Sequence, residues 1–447
     1  MNSTVTLFCV LMLPVAALSQ EAVAQRRPLQ LSLRRAVDLA LSPEGNPNIQ
    51  LAQEGVKQAQ ARSAQARGAL LPDLAGSFGW QNTIRSLSAE GLDQIQLPFG
   101  IVLPRYVGPF PVMDARATVR QSIFDLSTIR RFQSSKAGVR ATMAESDSVN
   151  DQIAAQVAKA YLAALRSEAE LEAVKANVAL AEAVLQQTQH QKMVGTGTGI
   201  EVTRAQVQLS NEQQRQLVAE NHSRRAHLQL LKVMGLRLDT DLQLTDKLAH
   251  VPVDTVPVEQ ALAEALKTRP DWKSQQQREE TARLSGSAVK MERVPSLVGF
   301  ADYGAIGPGT DNALPTRTYG FALRVPVFDG GRREARRSEA ESQYRQERVR
   351  TRDMQEQIEL DIRLALDGLR SAEEQVKVAE EGLSLADNEL NQARRRYDAG
   401  VTTGLEVTDA QTRLERARDN RIAALFNHNL ARIDLGQATG AIRRMIQ

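Results

Sequence analysis

The chain has 447 residues, of which only 4% are aromatic, and its 56 basic and 53 acidic residues leave a net charge of +3. This length allows several compact domains or one elongated architecture, but so few aromatic side chains favour thin helical packing over a round core. Charges of both signs are interspersed, which is typical of solvated helix faces and argues against nucleic acid as a partner.

Residues 1–24 are predicted to be a secretory signal peptide. An apolar run over residues 5–18 precedes a small-residue pattern at 22–24, which predicts cleavage after Ala24. The segment before the run has no Lys or Arg, which departs from the usual signal. Cys9, the single cysteine, lies inside the run, so the mature protein is expected to have no disulfide and not to be a lipoprotein.

Residues 25–240 are predicted to form the first of two structural repeats. Alternating apolar residues predict strands at about 74–83 and about 115–124. Residues 130–192 contain no proline and one glycine, so they predict a single helix about 90 Å long. A glycine-rich tip at about 194–200 should then reverse the chain into a second long helix.

Residues 241–257 are predicted to connect this repeat to a second repeat over 258–447. The second repeat has the same order of elements, with strands at about 296–305 and about 318–328. Its hairpin tip is predicted at about 398–404.

An internal duplication supports this division. Residues 194–206 match residues 399–411 at a shift of 205 positions. From Ile358 to Tyr397, apolar residues are spaced alternately four and three apart, which is the coiled-coil period. Alanine occupies many of these positions and permits close helix packing.

The fold class expected is mainly α with a small β part. Long coiled-coil helices should dominate the chain, and four strands of about ten residues with one apolar face suit a transmembrane β-barrel. Four strands cannot close a barrel alone, so copies of the chain should share its wall. Two alternatives without a pore stay open, a secreted periplasmic coiled-coil scaffold and a periplasmic adaptor, although an adaptor carries a single helical hairpin.

Three marks occur together, namely the duplication, a Phe-Asp pair after the second strand of each repeat (Phe124-Asp125 and Phe328-Asp329) and the turn motif over 397–411. With these marks the chain resembles the TolC-like outer-membrane efflux channels, or outer membrane factors, across nearly its whole mature length. The resemblance implies a homotrimer in outer-membrane lipid, with a twelve-strand β-barrel and an α-helical barrel of long coiled-coil helices that forms a periplasmic tunnel. It also implies an exit duct for tripartite efflux or type I secretion, with a periplasmic adaptor (membrane fusion) protein and an inner-membrane transporter as partners.

On the matching positions, the resemblance implies a periplasmic gate at Glu201, Tyr397, Glu406 and Asp409. Glu406 and Asp409 are three apart and share a helical face, and threefold repetition would turn each into a carboxylate ring that favours cations. Thr402 stands where some relatives place an arginine that ties the gate shut. Glu406 equally suits the positive end of the helix dipole, so both interpretations stay open.

The hairpin tips are the places where the resemblance implies contact with the adaptor. The matching residues are Val194, Gly195, Thr196, Ala399, Gly400 and Val401. The glycines among them also serve to reverse the chain between two helices.

The sequence contains no complete motif of an enzyme, and no catalytic, cofactor or metal site is predicted. Gly195, Gly197 and Gly199 follow no strand and precede no Lys-Ser/Thr, so they do not form a phosphate-binding loop. The five histidines show no metal-ligand spacing. The chain is therefore predicted not to be an enzyme, and drug, metal, peptide and protein substrates all stay open.

Overall fold

The computed structural model describes residues 28–42, 45–89, 91, 103–253 and 256–446. The predicted signal peptide lies outside these residues. The first half of the chain forms β1 (Leu29–Leu31), α1 (Leu33–Ala40), α2 (Pro47–Gly68), β2 (Asp73–Ser86), β3 (Tyr106–Phe124), α3 (Leu126–Val194) and α4 (Gly199–Met234). The second half forms β4 (Leu242–Leu244), α5 (Val258–Thr268), α6 (Pro270–Met291), β5 (Ser296–Gly307), β6 (Leu314–Arg324), α7 (Arg332–Asp398), α8 (Gly404–Thr439) and α9 (Ile442–Ile446), with a short 3-10 turn over Thr310–Asn312.

Two very long helices dominate the molecule, as the sequence predicts. α3 has 69 residues and α7 has 67, so each is about 100 Å long at 1.5 Å per residue. α3 packs against α2, α4, α6 and α8, and α7 packs against α6 and α8. Within the described part of the chain, no helix combines the length and the apolar character needed to cross a membrane.

The heptad pattern predicted for α7 is confirmed by burial. Ile358, Ile362 and Leu369 are buried near the start of the pattern, and Leu390 and Ala393 are buried near its end. Near that end, Leu390 belongs to an apolar cluster formed by α7 and α8. The second hairpin is therefore held together by a continuous apolar seam.

Short elements surround the long helices halfway along their length. β1 pairs in parallel with β4, and the Tyr161 hydroxyl of α3 donates to the Leu31 carbonyl at 2.9 Å. Around them lies one apolar core that includes Tyr161, Leu230 and Ile442. A second core joins α5, α6, α7 and α8. These two cores fix the middle of the helices while both ends extend beyond them.

The four longer strands form one antiparallel sheet in the order β2, β3, β5, β6. Residues that face each other across antiparallel strands lie on the same face of the sheet. One face is therefore apolar and exposed, with Phe78, Trp80, Tyr319, Phe321 and Leu323. We call this the apolar face, and the opposite face the polar face.

The polar face carries a network of charges. The Arg116 guanidinium donates to Asp114 at 3.0 Å and to Asp302 at 2.7 Å. Phe300 also lies on this face, where its ring covers Gly320 on the neighbouring strand; a Cβ at Gly320 would lie 3.1 Å from the ring. This packing explains why the sequence pattern of β5 breaks its alternation at Phe300.

Two strands differ from their predicted bounds. β6 ends at Arg324, whereas the prediction of about 318–328 extended it to Phe328. Pro326 has no N–H for a strand ladder, and its carbonyl instead accepts from Arg333 of α7 at 3.2 Å. β3 begins at Tyr106 instead of about 115.

The first part of β3 was not predicted to be a strand because it contains prolines. Pro109 and Pro111 interrupt the alternating pattern there. In this part β3 pairs with β2 alone, because its pairing with β5 begins only at Met113. A strand with one free edge tolerates prolines, so the strand extends further than its sequence suggests.

Candidate gate at the hairpin tips

The first hairpin tip joins α3 to α4 through a left-handed glycine. Gly195 has φ +84° and ends α3, and such a conformation favours glycine. α4 begins with a capping box, in which the Thr198 N–H donates to the Glu201 carboxylate at 2.9 Å. Glu201, one of the four predicted gate residues, is thus fixed by the local structure of its own helix.

The second tip joins α7 to α8 through Gly400, which has φ +72°. Two contacts here cross between hairpins. The Tyr397 hydroxyl donates to the Gln191 side-chain oxygen of α3, and the Gln187 amide of α3 donates to Asp398 at 2.5 Å. We call these two hydrogen bonds the tip contacts; they hold the end of α7 against the end of α3.

A cleft lies beside the tip contacts, between the ends of all four long helices of the two hairpins. Its lining residues include Gln187, Glu201, Arg204, Tyr397, Val407 and Gln411. Glu201 and Tyr397 meet at Gly404, where a Cβ would lie 3.8 Å from the Glu201 Oε1 and from the Tyr397 hydroxyl oxygen. The structure therefore brings two of the four predicted gate residues together.

Tyr397 is neutral in this environment. Burial raises the pKa of its phenol, and the negative charges of Glu201 and Asp398 raise it further. The phenol therefore keeps its proton and can donate a hydrogen bond to Gln191.

Glu406 lies outside this cleft, at the start of α8. Its carboxylate accepts from Arg396 at 2.9 Å and from the Thr402 hydroxyl. Arg396, at the end of α7, is therefore the arginine that pairs with Glu406 at this tip. This pair joins the two helices of one hairpin and differs from the tip contacts, which join two hairpins.

Asp409 is exposed on α8 and lies outside the cleft. The four predicted gate residues therefore do not form one cluster within the protomer. Glu201 and Tyr397 meet in the cleft, Glu406 is paired on its own hairpin, and Asp409 faces solvent. A common site for all four requires more than one copy of the chain.

The sequence analysis did not predict that Gln187, Gln191 and Arg396 make contacts at the tips. A role for Arg396 could have been predicted, because cations in the last turn of a helix complement its dipole. The glutamines had no such signal, because an isolated Gln on a long helix is usually a solvated residue. Only the tip contacts, where the ends of α3 and α7 meet, give them a partner.

The tips themselves expose apolar side chains. Met193 and Val194 at the first tip, and Val401 and Leu405 at the second, are all more than half exposed. Val194 and Val401 belong to the predicted adaptor contacts; Met193 and Leu405 do not. Among the described residues, no group of three or more His, Cys, Asp or Glu could hold a metal ion.

The sequence matches a family model described as outer membrane efflux protein over residues 39–236 and 261–441. Two curated relatives extend this likeness. The outer membrane protein TolC of Vibrio cholerae is 25% identical over 303 residues, which cover 64% of this chain and 67% of that protein. The pyoverdine export outer membrane protein OpmQ of Pseudomonas putida is 26% identical over 393 residues, which cover 86% of this chain and 81% of that protein.

A solved structure shares the fold. The CmeC outer membrane channel of Campylobacter jejuni superposes with a TM-score of 0.79 at 17% identity, covering 92% of this chain and 86% of that chain. The long helical hairpins and the four-stranded sheet therefore follow an architecture already known from a channel.

Proposed function

The chain belongs to the outer membrane efflux protein family, and from this premise we propose that three copies form a passive exit duct across the outer membrane and the periplasm. The observation that carries the proposal is the open four-stranded sheet with its exposed apolar face. Such a sheet, joined to helices about 100 Å long, suits a barrel in lipid above a helical tunnel.

The sheet edges support association with further copies. Within the described residues, β2 pairs only with β3, and β6 pairs only with β5. Open sheet edges do not occur in the hydrocarbon of a membrane, because their N–H and C=O groups would lack partners there. Pairing β6 of one copy with β2 of the next would close a ring, and three copies would supply twelve strands.

Two of the long helices expose apolar side chains that suit contact with neighbouring copies. On α7, Leu364, Val378 and Leu385 are exposed at spacings that are multiples of seven, and on α4 Val207 and Val218 are exposed. A heptad stripe that faces solvent in one protomer is suited to pack against another helix. These stripes support closure of the tunnel wall by neighbouring copies.

The gate is proposed at the tips. Glu201 and Tyr397 would act with the tip contacts to hold the two hairpins of a protomer together. Glu406 and Asp409 would form carboxylate rings about the threefold axis, favouring cations. Opening would then require loss of the Tyr397–Gln191 and Gln187–Asp398 hydrogen bonds.

The partners proposed are a periplasmic adaptor and an inner-membrane transporter. The exposed apolar side chains at both tips support contact with the adaptor, because an exposed apolar cluster on a soluble part of a protein often marks an interface. The transporter would supply the energy, so the duct itself would need no catalytic site. OpmQ is an export protein by name, and the likeness to it supports transport outwards.

The N-terminal signal peptide over residues 1–24 remains part of the proposal. Cleavage after Ala24 would remove Cys9 and leave no thiol for lipid. Mass spectrometry of the mature protein from outer membranes tests this directly. A mature chain that begins close to Gln25 and carries no lipid is expected, whereas a lipid-modified N-terminus would contradict it.

Conductance tests the proposed function. The purified protein should migrate as a heat-modifiable trimer and form cation-preferring channels in planar bilayers. Replacing both Glu406 and Asp409 with Ala should raise conductance or weaken block by multivalent cations, since the rings would lose their charge. A water-soluble monomer without conductance would overturn the channel, and unchanged conductance of the double variant would overturn the gate assignment alone.

A further inference from the structure

The apolar face of the sheet carries a charged residue, Arg317. Register places Arg317 of β6 opposite Tyr303 of β5, on the same face as Phe321 and Leu323. Arg317 is exposed and has no hydrogen bond or ion pair with any described residue. A charged side chain on a face otherwise suited to hydrocarbon needs a physical explanation.

The described strand residues of this face offer no counter-charge. From the register, and up to its shift after Thr83, the other residues of the apolar face are uncharged: Leu74, Gly76, Phe78, Trp80, Asn82, Pro111, Met113, Ala115, Ala117, Val119, Gln121, Leu297, Gly299, Ala301, Tyr303, Ala305, Gly307, Pro315, Tyr319, Phe321 and Leu323. The polar face, by contrast, pairs its Arg116 with Asp114 and Asp302. A neighbouring copy that added its β2 beside β6 would present the same acid-free residues.

The position of Arg317 along the strand points to the outer end of the sheet. β6 begins at Leu314, the end remote from the helices, and Arg317 is the fourth residue of the strand. At about 3.4 Å per residue it lies about 10 Å from that end. An arginine on the lipid face is far less costly near the interface than at the midplane of the bilayer.

Two tyrosines neighbour Arg317 on the apolar face. Tyr303 lies directly across on β5 and Tyr319 lies two residues further along β6, and both rings are largely exposed. Neither phenol has a hydrogen-bond partner among the described residues. Tyrosines are typical of the interface between hydrocarbon and headgroups. Three unused donors of this kind, one of them a bidentate cation, suit a phosphate group.

We propose that Arg317, Tyr303 and Tyr319 bind the phosphate of a lipid headgroup in the outer leaflet. This inference rests on the proposed outer-membrane barrel. Since the sheet supplies no anion to this face, the lipid is the available source of the counter-charge. One such site would occur in each copy of the chain.

The test compares lipid binding by four forms of the full-length protein, namely the wild type, Arg317→Gln, Arg317→Lys and Arg324→Gln. Arg324 is a matched control, because it lies on the same strand but on the polar face. Each form is reconstituted into phosphatidylcholine vesicles with or without phosphatidic acid. The phosphatidic acid retained by the extracted protein is then measured by native mass spectrometry.

The wild type and Arg324→Gln should retain phosphatidic acid, and Arg317→Gln should retain it roughly tenfold less, since a charge-assisted pair is lost. Arg317→Lys should retain an intermediate amount, because Lys cannot bind in bidentate fashion. Inorganic phosphate should not displace the lipid. Equal retention by Arg317→Gln and wild type, equal loss in Arg317→Gln and Arg324→Gln, or full displacement by inorganic phosphate would each overturn the lipid site.

Conductance in phosphatidylcholine alone separates this inference from the proposed function. If wild type and Arg317→Gln both conduct but neither prefers phosphatidic acid, the lipid site is wrong and the duct stands. If the wild type neither inserts nor conducts in any lipid, the duct itself is wrong and the lipid site is overturned with it.

Discussion

Two contacts made by α8 differ sharply in chemistry. Towards α7 it presents an apolar seam in which Leu390 and Leu414 are buried together. Towards α4 it presents Glu415, which accepts from Arg215 at 3.0 Å. Beside this pair, Glu212 of α4 is 0% exposed. We call the first contact the hairpin seam and the second the polar seam.

The polar seam contains an incompletely satisfied carboxylate. One oxygen of Glu212 accepts from Gln208 at 2.9 Å and lies 3.5 Å from Arg215, but the other has no hydrogen-bond partner among the described residues. Burial raises the pKa of Glu212, and the nearby Glu415 raises it further. Apolar contacts carry no titrating group, whereas a buried carboxylate pair responds to pH.

This difference indicates which contact can change during opening. Separating α7 from α8 would expose leucines at a cost that a change of pH does not offset. Separating the first hairpin from α8 would hydrate carboxylates, which partly offsets the lost contacts. We therefore expect the hairpins to move as units and the polar seam to adjust between them.

The largest effect is expected in the hairpin seam. Leu390→Ala should lower the free energy of unfolding by about 2–5 kcal/mol, because it leaves a cavity in close-packed surroundings. Urea denaturation followed by helical circular dichroism measures this. Leu390→Met keeps the volume and should cost less than about 1.5 kcal/mol; equal losses in both variants would show that the seam is loosely packed.

In the polar seam, Arg215→Met should cost about 1–2 kcal/mol. The guanidinium is half exposed, so the loss should be smaller than for a fully buried ion pair. Replacing Glu415 with Gln in the same chain should recover part of the loss, since the carboxylate left unpaired would be removed. A double variant no more stable than Arg215→Met would contradict the pairing.

Glu212→Gln should have a smaller effect that depends on pH. Because the pKa of Glu212 is raised above its ordinary value of 4.5, the folded chain binds more protons than the unfolded chain between that value and the raised pKa. The wild type should therefore lose stability as pH rises through this window, and Glu212→Gln should lose less.

The control for this effect is Glu220→Gln. Glu220 accepts from Gln216 at 2.9 Å, four residues earlier on α4, as Glu212 does from Gln208. It is only half-buried, so its variant is the control for removing a carboxylate from the surface of α4. Parallel pH profiles for Glu212→Gln and the wild type would rule out Glu212 as the titrating group.

The smallest effect is expected at the surface of the second hairpin. Arg413 of α8 contacts Glu389 of α7 at 2.8 Å, and both side chains are about half exposed. Arg413→Met should cost about 0.2–1 kcal/mol, and this loss should shrink at high salt. A loss as large as that of Arg215→Met would remove the distinction between the two seams.

The sequence predicts the hairpin seam but not the polar seam. The spacing from Ile358 to Tyr397 reveals which side of α7 is buried, because apolar periodicity is a local signal. Glu212 and Glu415 look like solvated helix charges. Their burial depends on the packing of helices about 200 residues apart in sequence, which no local pattern encodes.

The same limit applies to the candidate gate. The turn motif identified Tyr397, and the matching segment of the first repeat identified Glu201; these two residues meet in the cleft. The motif could not reveal that Arg396 pairs with Glu406, since that pairing depends on how the tip folds. Local sequence patterns were sufficient to identify candidate residues. They were not sufficient to show which residues on different helices pair with each other.

The most direct test of the account is to lock the tip contacts. In a variant with Gln187→Cys and Asp398→Cys, a cleavable thiol cross-linker would join α3 to α7; Cys9, the single native cysteine, lies in the predicted signal peptide. Single-channel conductance should fall or lose its open events after cross-linking, and should recover on cleavage. Conductance that the cross-link leaves unchanged in every condition would contradict a gate between the two hairpins.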